Sequence, residues 1–317
     1  MAVFVVATSA CNRPRFREPL VLAGGREIPA ATLNEGRVAY MHYCYACHGE
    51  NGDGRGPSSP AMRPPPRDLT QGIFKFGGVP AGELPTDADL EALIRNGLAG
   101  TPMLPWDISE RERTAIVQYI KTFSPRWKTE TPGEPVKPEV PDPWSGREAE
   151  AVARGEMIYH LSGVELDPAT STPKTVLAGC NACHPSYLDA DALAALSNRI
   201  LKRPIEVREK PLRPALKESE FQVGDTKVGF LPSDFLFHTM KNGSSPTALF
   251  RTIAAGIGGT AMPTWKGSVK DEDLWALVHY VRHLLAMRDT PAGRQLRERL
   301  AAASPGTISP PGQRPRP

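Results

Sequence analysis

The 317-residue chain contains no uncharged apolar run approaching the roughly 18 residues that a membrane-crossing helix needs, so its body reads as soluble or peripheral rather than integral to a bilayer. Cysteine is scarce: five residues are too few to build a disulfide scaffold in a chain of this size. Charge of one sign is also lacking. The net +3 is carried by residues 1–32 and 289–317, which read as solvated ends, and neither region between them has the basic footprint that nucleic acid requires. What is abundant is proline, at 33, and glycine, at 28, which excludes a bundle of long rods and predicts short elements joined by long loops. With 40% hydrophobic and 23% charged residues the composition is globular, and the length suits two domains.

Four of the five cysteines fall into two identical patterns, Cys44-Tyr-Ala-Cys47-His48 and Cys180-Asn-Ala-Cys183-His184. Each is C-x-x-C-H, the attachment pattern for c-type haem. Two intervening residues let both thiols reach the two vinyl positions of one porphyrin, and the adjacent histidine is carried beneath the iron as an axial ligand. A zinc knuckle, a thioredoxin-like dithiol and a plain disulfide also use C-x-x-C, but none requires the histidine. Zinc would want a fourth ligand, and a redox dithiol would want a βαβ setting that neither segment has.

A sixth iron ligand is offered at a matching place in each half. Ala99-Gly-Thr-Pro-Met103-Leu-Pro-Trp106 and Gly258-Gly-Thr-Ala-Met262-Pro-Thr-Trp265 align without gaps, sharing Gly, Thr, Met and Trp. A lone methionine is ordinarily a core gap-filler, yet two in one turn-rich frame point to iron, whose potential thioether ligation raises. Met62 and Met240 are the competing methionines.

On these motifs each half resembles a small mono-haem c-type cytochrome domain of the class I type, over roughly residues 33–124 and 146–288. The resemblance implies a mainly α fold of two tandem cytochrome c-like domains, two covalent haem c groups, His/Met ligation through His48 with Met103 and His184 with Met262, and electron transfer. The first copy departs from the pattern at Met103-Leu-Pro, where the second has the commoner Met262-Pro.

The periodicity places elements around these motifs. Gly36 and Tyr40 share a helix face before the first, as do Gly155 and Tyr159 before the second. Ile116, Tyr119, Ile120 and Phe123 mark a later helix, matched by Leu274, Leu277, Val278 and Val281. The resemblance has these two helices cross at the glycine. Further helices are predicted over 87–96, capped by Thr86 with Asp89 and stopped at Gly97, and over 247–255, stopped at Gly256; Ser109 with Glu112 forms another capping box. Residues 125–145 are proline-rich and read as a stiff polyproline II linker; from Ser124 to Trp144 it could reach roughly 60 Å. The second domain is longer, with an insertion over 185–242 containing a helix at 189–201 and a β-hairpin over 221–230 turning at Gly224-Asp225, and a loop-like insert around 167–176. Residues 289–317 are read as a C-terminal tail, disordered from Ser304 on. His42, His160, His238, His279 and His283 are read as structural, and Arg67 and Arg251 as candidates for haem propionates.

Thioether attachment needs a maturation system outside the cytoplasm, so export is expected. Residues 1–32 are taken as a signal-like or lipoprotein-like segment and an arm. The apolar run Ala2–Ala10 suits a signal core, although a charged n-region is missing, as in a shortened start. Ser9-Ala10 before Cys11 resembles the lipobox of bacterial lipoproteins. That makes Cys11 either a lipidated residue or a free thiol within a cleaved signal, and Arg13, Arg15 and Arg17 would suit a tether near an anionic membrane. The chain is therefore expected to be a periplasmic or membrane-tethered di-haem electron carrier. Its donor would be a membrane oxidoreductase or a molybdoenzyme, and its acceptor an oxidase or a small cytochrome. Rival readings are a di-haem peroxidase, an enzyme that needs one haem face able to open, and a haem-based sensor that loses a methionine on binding a ligand.

Overall fold

The computed structural model describes residues 15–167, 169–170, 173–203, 211–212, 217–223 and 226–302. The chain divides into two compact units, one comprising Met1–Pro135 with Phe221–Thr226 and Ile257–Gly259, the other comprising the remainder. Cys11 and the stretch from Ser304 onward, on which two of the expectations above rest, lie outside the described residues.

The first unit opens with a two-stranded ribbon, β1 (Leu20–Val21) paired antiparallel with β2 (Glu27–Ile28). Helices α1 (Ala30–Tyr43), α2 (Tyr45–His48), α3 (Asp87–Asn96), α4 (Glu110–Ile120) and α5 (Arg126–Thr129) follow. Helices α1 and α4 make the central contact, and glycine is what permits it: a Cβ on Gly36 would stand 2.0 Å from the Ala115 carbonyl oxygen. That close approach sets Tyr40 edge-on to Tyr119, with ring centroids 5.2 Å apart, and buries both with Leu33 and Ile116. Each such side chain taken fully from water contributes about 1.5–3 kcal/mol. Both predicted capping boxes are formed, Thr86 with Asp89 at the start of α3 and Ser109 with Glu112 at the start of α4.

The second unit repeats this plan with additions. It contains α6 (Glu148–His160), β3 (Ser162–Leu166), β4 (Pro173–Ala178), α7 (Ala190–Ile200), α8 (Pro246–Ala255), α9 (Asp271–Met287) and α10 (Pro291–Ala302), and between α7 and α8 the chain forms β5 (Lys217–Val223) and β6 (Thr226–Phe230), whose residues the two units share. A Cβ on Gly155 of α6 would stand 2.1 Å from the Ala276 oxygen of α9, the twin of the first crossing, and Tyr159 meets Tyr280 at 5.4 Å. Strands β5 and β6 pair as the hairpin predicted for this insertion; its turn residues are outside the described set.

The structure departs from the sequence reading in three places. The insert around 167–176, taken as loop, is flanked by the antiparallel strands β3 and β4, because Thr175 and Leu177 alternate inward and are buried. The segment after residue 289, taken as a tail, begins with α10. The hydroxyl of Thr290 accepts the Gly293 N–H and so caps its first turn, and Leu300 buries completely. The proline-rich stretch is not an unpacked rod throughout. Trp127 of α5 is buried in the first core, and Arg126 donates to the carbonyls of Gly72 and Gly82. Val136 and Trp144 are buried in the second core, where the Trp144 indole donates to the Glu272 carbonyl at 2.9 Å.

Candidate haem sites

In the first unit α1 ends at Cys44 and the chain turns at once into α2, so that the His48 N–H donates to the Cys44 carbonyl at 2.9 Å and both cysteines and the histidine share one turn. Gly49, at φ +79°, ends the turn directly after the histidine. The second unit builds the same turn as a short 3-10 segment, Cys180–Ala182, with His184 N–H to Cys180 O again at 2.9 Å. None of the four cysteines is paired in a disulfide. Burial pushes the Cys44 and Cys180 thiols up to about 12.

Each histidine is oriented by a backbone carbonyl. His48 Nδ1 lies 3.0 Å from Arg67 O, and His184 Nδ1 lies 3.0 Å from Ser233 O. A ring that donates through Nδ1 has its Nε2 lone pair free for a metal, and burial lowers the pKa of both imidazoles, which favours the neutral form that can ligate.

The two carbonyls come from a repeat that motif reading missed: Pro66-Arg67-Asp68-Leu69 and Pro232-Ser233-Asp234-Phe235 correspond position by position. Asp68 Oδ1 accepts the Thr70 N–H at 2.9 Å, two residues on, and Asp234 Oδ1 accepts the Leu236 N–H at 3.0 Å, also two residues on. The aspartate closes the turn that presents the preceding carbonyl. Leu69 enters the first core, and Phe235 stacks on His184 with centroids 5.2 Å apart and planes 18° apart. The signal was present as four residues with two identities, too short to stand out without the structure.

The methionine loops are also twins. The Met103 N–H donates to Thr101 Oγ1 and the Met262 N–H to Thr260 Oγ1, both at 3.2 Å. Gly97 and Gly256, at φ +60° and +74°, stop α3 and α8, and a Cβ on either would strike the carbonyl oxygen of the methionine in its loop. Met240, by contrast, packs against the second hydrophobic core, and Met62 follows a separate 3-10 turn. Of the remaining histidines, His42 and His283 are exposed, His279 pairs with Asp142 at 2.7 Å, and His238 accepts the Asp234 N–H at 2.9 Å. His160 is fully buried, accepting the Tyr187 N–H and facing the Glu156 carbonyl. No group of three or more His, Cys, Asp or Glu side chains among the described residues could hold a metal ion.

Two helical units, each joining a C-x-x-C-H turn to a carbonyl-held neutral histidine, define a tandem di-haem c-type cytochrome, a class that transfers electrons and carries its haem covalently. The chain belongs to the family described as cytochrome C oxidase, cbb3-type, subunit III, whose model matches residues 31–120 and again 168–281. A similar solved structure is from the Kuenenia stuttgartiensis reducing HAO-like protein complex Kustc0457/Kustc0458. It is 30% identical over 79% of this chain and 96% of that one, with a TM-score of 0.59. No curated protein matches. Among the described residues no helix is long and apolar enough to cross a membrane.

Proposed function

We propose that this protein shuttles single electrons between redox proteins outside the cytoplasm. Cys44 and Cys47 would form the thioethers of one haem and Cys180 and Cys183 those of the other, with His48 and Met103, and His184 and Met262, as axial ligands. When bound, the haem iron supplies reversible one-electron chemistry, and a thioether in the sixth position raises its potential. The matched methionine loops carry this reading: the same Thr hydroxyl, the same stopping glycine and the same three-residue step to a tryptophan recur in both units. In the first unit the buried Arg67 guanidinium, lowered to about 10 by burial, suits an anionic propionate. So does the buried Trp127 indole N–H, which meets no acceptor among the described residues.

The redox partners are proposed as a membrane oxidoreductase or molybdoenzyme on the donor side and an oxidase or small cytochrome on the acceptor side. That a similar chain was solved within an HAO-like protein complex supports docking to a redox partner. Lipidation at Cys11 would hold the carrier at a membrane surface. The test is a redox-titrated visible and near-infrared spectrum of the exported holoprotein. Two haems per chain with a sulfur-to-iron band at both sites is the expected result. An open or bis-histidine site at either haem overturns the ligation, and peroxide turnover by the pre-reduced protein overturns the carrier reading.

A further inference from the structure

The two proximal turns differ in how the aspartate is completed. Asp68 is satisfied locally: its second oxygen accepts the Gln71 side chain at 2.8 Å, three residues on. The corresponding oxygen of Asp234, a residue only 6% exposed, pairs with Arg297 of α10, 63 positions away. Tyr187 adds its hydroxyl to Asp234 Oδ1 at 3.2 Å and accepts the Phe235 N–H at 2.7 Å. Arg297 also lies over the Phe237 ring at 5.6 Å, and Arg288, just after α9, donates to the His238 carbonyl and the Thr239 hydroxyl. The loop that presents the Ser233 carbonyl to His184, and that stacks Phe235 on the same ring, is thus clamped from the C-terminal segment.

We infer that Arg297 is a positioning residue for the second haem: by pairing with Asp234 it fixes the Ser233 carbonyl against His184 Nδ1, and the terminal helix thereby sets the reduction potential of that haem alone. A hydrogen bond to the distant ring nitrogen makes an imidazole a stronger donor and so favours Fe(III). Loosening the clamp should therefore favour Fe(II). The inference rests on His184 as the iron ligand, as proposed above.

The test uses the full-length holoprotein carrying D234N/R297Q, which removes both charges together and so alters the field at the haem little. The expected result is that the Fe(II)/Fe(III) ratio of the second haem at fixed potential rises about tenfold, equivalent to about 59 mV for a one-electron couple. The paramagnetically shifted proton signals of His184 should move, while both readouts for the first haem stay put. Unmoved potentials and signals with only a lower melting temperature would make the clamp merely structural and overturn the inference, as would equal shifts at both haems. Should the double variant not mature, R297K, which keeps the charge but not the planar fork, is expected to move the same His184 signals by less, and unaltered signals there overturn it too. A wild-type spectrum lacking histidine ligation at the second haem would instead defeat the ligation reading beneath it.

Discussion

The haem turn of the first unit is closed by its own neighbours, Asp68 with Thr70 and Gln71, whereas that of the second is closed by Arg297, remote in sequence. The same backbone job, holding a carbonyl 3.0 Å from a histidine, is therefore done once by a self-contained tetrapeptide and once by tertiary structure. The difference teaches that duplicated sites share what the cofactor demands and diverge in how the surrounding chain enforces it. The second unit adds insertions and a terminal helix, and has tied its site to them.

The sharpest way to break this comparison is to remove the two aspartates separately. D234A takes away the partner of Arg297 and the acceptor for Tyr187 in a buried setting, and should cost about 4 kcal/mol. D68A, in a half-buried turn, should cost about 1 kcal/mol. Denaturant unfolding followed at each haem should show the two costs in separate transitions, and equal costs would erase the distinction.

Acid should separate the units next. His160, buried in the second unit where the first has Met41, has its pKa lowered by burial to about 4. The folded state then binds fewer protons than the unfolded state between about pH 6.5 and 4, and the stability of the second unit falls through that window, by about 3 kcal/mol in all. In the first unit, burial raises the pKa of Asp87, but Arg26, Lys121 and Gln118 outweigh it and hold the group at about 2. Its contribution is intact above about pH 4 and is lost only as the pH falls toward 2. Acid titration by circular dichroism should therefore unfold the second unit first, and a reversed order would contradict both assignments.

The helix crossings, by contrast, should behave as equals. G36A and G155A each push a methyl group into a carbonyl oxygen and should each cost about 2 kcal/mol in their own unit, read from thermal melts. A difference larger than about 1 kcal/mol would show that the twin geometry hides unequal packing. The smallest effect is expected at the methionine loops: T101V and T260V each remove one acceptor from a methionine N–H and should cost about 1 kcal/mol. Under the ligation proposed for Met103 and Met262, the visible result would be faster replacement of the methionine by added imidazole, equal in the two units.

Much of this was legible because the chemistry writes itself in side chains. C-x-x-C-H, the Gly-Thr-x-Met frame, the crossing glycines Gly36 and Gly155, and the capping boxes at Thr86 and Ser109 all depend on particular residue types at fixed spacing. The groups that orient the histidines do not. A main-chain oxygen is the acceptor in both units, so the residue supplying it is Arg67 in one and Ser233 in the other, with nothing in common to recognise. Helix α10 escaped because its arginines suggested a solvated end, while its cap, Thr290 before Pro291, was the informative pair. The β3–β4 pairing escaped because composition was weighed there in place of alternation.

The 63-residue separation of Arg297 from Asp234 has a consequence for biogenesis. Translation runs from the amino terminus, and domains fold as they emerge. The Asp68 turn finds its side-chain partners within three residues and can close as soon as it is made, whereas the Asp234 turn waits for a partner 63 residues further along the chain. The two turns therefore close in chain order, the local one first, and the later one depends on the helix that carries Arg297.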